Sequence, residues 1–102
     1  MTVEEIQKNI QKNIIERMMV LRNNGDLKKT DFVVMAYLLC CLDGTKPKEI
    51  KQKNIVEFTY LPKSDVSKSI KRLISTKILI KSEDKYDPGF KLNNFKDKEY
   101  ND

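Results

Sequence analysis

Apolar residues recur along the first fifth of the chain at helical spacing: Val3, Ile6, Ile10, Ile14, Met18 and Leu21 stand three or four positions apart. This draws one face of an amphipathic helix over residues 3–22, widened by Ile15 and Met19. Asn23-Asn24-Gly25-Asp26 supplies a stop and a turn. A helix of this length spans about 30 Å, roughly the diameter of a small domain. Part of the stripe is therefore expected to meet a second subunit, giving a homodimer through helix 3–22; the alternative is that the whole stripe is core of one subunit.

A second apolar run, Phe32 to Leu42, has no polar side at all. With Thr30 as N-cap, Asp31 in the first turn and Gly44 as a left-handed stop, it reads as a helix over 31–43, buried on most sides and the hub of the core. Leu38 falls in its centre. Pro47 suits the first turn of a third helix carrying Ile50, Ile55, Val56 and Phe58. That segment is either one helix over 47–58 or a short turn to about residue 53 with a new helix from Asn54. After Thr59-Tyr60-Leu61-Pro62, the positions Val66, Ile70, Leu73 and Ile74 repeat at i, i+4, i+7 and i+8 and predict a fourth helix over 62–75. Ser64, Lys68, Lys71, Ser75 and, to one side, Arg72 point the opposite way. Residues 78–81 and 90–92 then read as strands of a hairpin around a loop of about seven residues with Pro88-Gly89 at its end. From Asn93 the chain is polar.

The predicted fold is mainly α with a small β-hairpin, in the order α-α-α-α-β-β. The 102 residues make one domain, with an N-terminal helix over 1–24, a core over 29–92 and a polar tail over 93–102. The longest apolar run is too short for a membrane helix, which needs about 20 residues. The acidic start, Val3-Glu4-Glu5, lacks the basic character of an export signal. These features predict a cytoplasmic protein without membrane contact. Its two cysteines, the adjacent Cys40 and Cys41, are expected to be reduced, buried thiols.

Charge narrows the chemistry. The net charge is +5, but residues 1–45 are neutral, residues 46–82 carry ten Lys/Arg against three acids, and the remainder is net −2. The excess cation in the middle third suits a polyanion, nucleic acid before others. The chain has no His, only the adjacent cysteine pair and three scattered glycines, at 25, 44 and 89. Histidine triads, zinc sites and glycine-rich phosphate loops therefore cannot be drawn on it, and neither an enzyme, a cofactor nor a metal is expected.

A buried helix, a basic helix, a turn, a second basic helix and a hairpin follow the order of a winged helix-turn-helix domain. At residue level, Leu61-Pro62-Lys63-Ser64-Asp65-Val66-Ser67-Lys68-Ser69-Ile70-Lys71-Arg72-Leu73 resembles the recognition helix of MarR-family regulators. It is also similar to SarA-like proteins and to the N-terminal domain of phage replication proteins of the lambda O type. Lys29 to Leu38 resembles the helix that precedes the motif in SarA-like proteins. The likeness covers about residues 29–92. Departures are Pro62 at the N-cap, Lys77 where a glycine usually ends the helix, and an acidic hairpin tip, Ser82-Glu83-Asp84-Lys85-Tyr86-Asp87. MarR dimers pair largely through both terminal helices, so a dimer of this chain rests on helix one.

The resemblance and the residues together imply double-stranded DNA as partner. Ser64, Ser67 and Lys68 suit base edges. Lys63, Lys71 and Arg72 suit phosphates, with bidentate guanine reading as a second role for Arg72, and Lys85 suits the minor groove. Asp65 either caps the helix or accepts from a cytosine amino group, and the helix dipole favours the cap. The expected function is a sequence-specific DNA-binding protein, a small dimeric transcriptional regulator. The alternatives are a replication or DNA-organising protein of a phage, plasmid or virus, and a winged-helix adaptor that binds another protein.

Overall fold

The computed structural model describes residues 2–42, 46–83, 85–86 and 88–93. Four helices, α1 (Val3–Asn23), α2 (Lys29–Cys41), α3 (Gln52–Thr59) and α4 (Lys63–Ser75), lead into an antiparallel hairpin of β1 (Leu79–Ser82) and β2 (Gly89–Leu92). The fold is mainly α with a small hairpin, as the pattern predicts. Among the described residues no helix is long and apolar enough to cross a membrane.

Thr2 caps α1 by accepting from the Glu5 N–H at 3.2 Å. The helix ends where Gly25, at φ +86°, lets the Asp26 N–H return to the Leu21 carbonyl at 2.8 Å. Its stripe divides in two. Ile10, Ile14, Met18 and Leu21 are buried within the single chain, whereas Ile6 and Val3, one and two turns earlier, lie outside it at 41% and 67% exposure. Most of the stripe thus serves the core of one subunit; its first two turns overhang the core, and Ile15 and Met19, which widen it, are also exposed. At the other end, the Arg22 guanidinium lies 5.8 Å above the Phe32 ring and joins α1 to α2.

Helix α2 departs from the expected 31–43. It begins at Lys29, so Thr30 is not its N-cap; the Asp31 carboxylate reaches back one turn and accepts from the Lys28 N–H at 2.8 Å. It ends at Cys41, and the expected stop at Gly44 lies outside the described residues. Val34, Met35 and Leu38 are fully buried, but Val33, Ala36 and Cys40, spaced by three and four, form a line open to solvent. Phe32, Tyr37 and Leu39 pack against the core on either flank, so the helix is covered on most sides, as expected, and open along one line. The thiols differ from the expectation: Cys40 is exposed and Cys41 half-buried, neither in a disulfide.

Between α2 and α3 the structure overturns the single helix over 47–58 and comes close to the other predicted form, a separate helix, which starts two residues before Asn54. Pro47 opens no helix. Instead Lys48 makes an isolated bridge to Phe90 in β2, with N–H to carbonyl distances of 2.9 and 2.8 Å. This bridge explains Gly89: at φ +113° a Cβ would stand 2.1 Å from the Lys48 carbonyl oxygen. Helix α3 then begins at Gln52, buries Ile55 and joins α2 through an edge-on contact between Tyr37 and Phe58, with centroids 5.0 Å apart.

The core draws on every element: Ile14 and Met18, Val34 and Leu38, Ile55, Val66 and Leu73, Leu79 and Leu92. Leu38 has no exposed surface, so Leu38→Ala is expected to cost about 2–5 kcal/mol of folding free energy in urea denaturation. A loss below about 1 kcal/mol would mean that the site is not a packed centre.

Candidate nucleic-acid interface

The surface of α4 follows from its packing. Val66, Ile70 and Leu73 are buried against the core and Ile74 is half-buried. At 100° per residue the opposite side presents Ser64, Lys68, Lys71 and Ser75 in one line, with Ser67 beside it. Lys63 is turned toward α3, where it borders a hollow with Gln52, Lys53 and Glu57. Lys63, Ser64, Lys68 and Lys71 are exposed and Ser67 half-buried. The structure thus brings four of the seven predicted DNA-binding residues, Ser64, Ser67, Lys68 and Lys71, together on one helix face that holds no acidic side chain. Pro62 precedes the helix without a side-chain cap bond, so the first-turn amides and the positive end of the dipole add to the same cationic surface. Lys85 stands apart, exposed at the hairpin tip beside Tyr86; the tip residues Asp84 and Asp87 lie outside the described residues.

Arg72 is placed elsewhere. It lies on the flank of α4 that meets the first turn of α2, where its Nε donates to Asp31 Oδ2 at 2.9 Å and Oδ1 at 3.1 Å, and its Nη2 donates to Oδ1 at 2.9 Å. The same Nη2 approaches Ser69 Oγ at 3.3 Å and Thr30 Oγ1 at 3.4 Å. Its Nε/Nη2 edge, the fork that pairs with a guanine or a phosphate, is occupied inside the protein. Asp31 has no exposed surface. Burial alone would push its carboxyl up; the bonds from Arg72, the Lys28 N–H and Ser69, with the Arg72 charge, outweigh this and hold it below its ordinary value. The bond to Asp31 also raises Arg72 above its usual range, against its own desolvation and with help from the charges of Asp31 and Asp65. Asp65 sits half-buried in the first turn of α4, where the dipole argument puts it.

Asp31 was legible only as a first-turn acid, and its partner across 41 residues carried no signal of its own in the sequence. Also unforeseen is Tyr60. It follows α3 directly, adopts left-handed backbone at φ 59°, and leaves 91% of its surface exposed. Away from this face, a cleft of about 430 Å³ between α1, the end of α2 and β2 is bordered by Ile10, Cys40, Cys41, Lys48 and Leu92. No protein-family model, curated protein or solved structure matches the chain.

Asp31 gives the fold a defined acid sensitivity. Because its folded value lies below the unfolded one, its contribution is fully present above about pH 5 and drains away as pH falls through the folded value. Asp31→Asn is expected to cost about 3 kcal/mol at neutral pH, the low end for breaking a buried pair, since the Arg72 side chain keeps 26% exposure. In urea titrations at a series of pH values, the gap between wild type and variant should be constant above about pH 5 and narrow toward pH 2.

Proposed function

We propose that this protein binds double-stranded DNA with α4 as the recognition helix of a winged helix-turn-helix, and that it acts as a small dimeric transcriptional regulator. The observation that carries the reading is the exposed line Ser64, Lys68, Lys71 with Ser67 beside it. Small hydroxyls at the leading end of a helix allow close approach to base edges, and lysines farther along hold phosphates. With Arg72 held by Asp31, the phosphate contacts of α4 fall to Lys63, Lys68 and Lys71. The hairpin that follows α4 supplies the wing, with Lys81 and Lys85 exposed on it.

Binding of the purified protein to duplex, single strand and RNA, each at two salt concentrations, tests the reading. Duplex should be preferred. Lys71→Ala should weaken binding to every duplex and lower the magnitude of the salt slope by about one, as for one lost phosphate contact. If Lys68→Ala/Lys71→Ala folds normally and binds duplex with unchanged affinity and slope, α4 does not face DNA, and an adaptor role toward another protein replaces this one.

The dimer rests on the overhanging start of α1, where Val3 and Ile6 remain uncovered by the chain itself. Two-fold pairing there would set two copies of α4 against half-sites about 34–36 Å apart. Ile10 is buried within the subunit, so Ile6→Asp is the cleaner probe. Sedimentation equilibrium should show a dimeric wild type and a monomeric variant with unchanged helical circular dichroism; a wild type that is monomeric at tens of micromolar would remove the dimer.

A further inference from the structure

We propose that Tyr60 is a DNA contact that grips the sugar–phosphate backbone at the rim of the groove entered by α4; this rests on the duplex-binding reading above. Among the described residues, Tyr60 and Lys77 are the two non-glycine positions with positive φ, and they stand immediately before and shortly after α4. Lys77 has a local reason for its place, because a cation just past a helix C-terminus is favoured by the dipole. Tyr60 has none. The position after α3 wants glycine or asparagine, and a large ring there carries backbone strain. Burial does not repay it, since the ring is 91% exposed.

The turn around Tyr60 is braced, so the ring is held out by a fixed backbone. Thr59 Oγ1 donates to the Ile55 carbonyl at 2.7 Å and accepts from the Leu61 N–H at 3.3 Å. Leu61 packs against the core, and Pro62 fixes the next φ at −57°. The cap would form more easily with glycine, so a ring kept at this position and left in solvent gains nothing in the free protein and points to a gain in a complex.

The chemistry of that complex follows from position. Pro62 alone separates the Leu61 anchor from Lys63, so when the first turn of α4 enters a groove, the turn leading into it passes the groove's edge. That edge is phosphate and sugar. A phenol suits both, its O–H donating to a phosphate oxygen and its ring lying against deoxyribose. Such a contact is neutral and reads no base.

Three variants separate this role from the rest of the interface. Tyr60→Phe should lower duplex affinity about ten- to a hundredfold, as for one lost hydrogen bond to a charged oxygen, by the same factor on preferred and random sequences. The salt slope should not change, because a phenol releases no counterion; Lys71→Ala, measured alongside, should reduce it. Tyr60→Ala should lose more than Tyr60→Phe. Tyr60→Gly should keep or raise the thermal midpoint while binding as weakly as Tyr60→Ala, stability and affinity moving in opposite directions. If all three bind as wild type while Lys71→Ala weakens binding, the Tyr60 contact is wrong and the α4 reading stands. If wild type itself fails to bind duplex at low salt, both fall.

Discussion

The buried carboxylate of Asp31 is the constraint on which the rest of the arrangement depends. An ionised carboxylate with no solvent contact costs several kcal/mol unless its lone pairs are filled. Here they are filled from two sides, by the Lys28 N–H of its own helix start and by the planar fork of Arg72 from α4. Two elements 41 residues apart are thereby fixed in rotation as well as in distance. A hydrophobic contact between α2 and α4 would tolerate a slide; a bidentate fork does not. Ser69 and Thr30, joined at 3.4 Å, complete the seam. Among the described residues no buried side-chain polar atom lacks a partner. With the Arg72 flank turned inward and Val66, Ile70 and Leu73 in the core, one side of α4 remains for solvent, and it is the side that carries Ser64, Lys68 and Lys71.

Local signals in the chain gave reliable elements where the determinants were themselves local. The stripe from Val3 to Leu21 and the repeat from Val66 to Ile74 marked α1 and α4 to within a residue at each end. The start of α2 was misplaced because Thr30 and Asp31 both suit a helix entrance, as cap or as first-turn acid. The carboxylate reaching back to Lys28 decides for the acid. Arg72 illustrates the corresponding limit for the interface. Helical arithmetic places it at the border of the cationic face, and only the acid packed against that border shows that its charge is spent inside the protein.

Contacts between distant segments account for the remaining differences. Pro47 is as compatible with an edge strand as with a helix start. The choice is made by the Lys48 pairing with Phe90, and that pairing in turn requires the missing Cβ at Gly89. The apolar run in α2 poses a different problem. Composition reports that a helix tolerates burial on every side, but a domain of this size has too few elements to surround it. Val33, Ala36 and Cys40 stay outside for want of a neighbour, and a thiol that looked sheltered in the sequence lies open to solvent.

The resulting surface is divided by chemistry. Exposed apolar residues are most numerous on α1, with Val3, Ile6, Ile15, Met19 and Val20, and occur singly as Val33 on α2, Phe58 on α3 and Ile80 on β1, whereas the outward line of α4 is hydroxyl and ammonium throughout. Such a division suits a protein that meets a polyanion with one face and another polypeptide with the other. A lysine-rich face gains little from protein contact, since lysine is depleted there, and it gains most where each cation displaces condensed counterions. An overhanging apolar turn gains nothing from phosphate and is covered only by other apolar surface. Tyr60 belongs to neither class: it is an exposed aromatic ring with one polar atom, set immediately before the cationic helix, and the proposed DNA contact is the reading that gives both the ring and the hydroxyl a use.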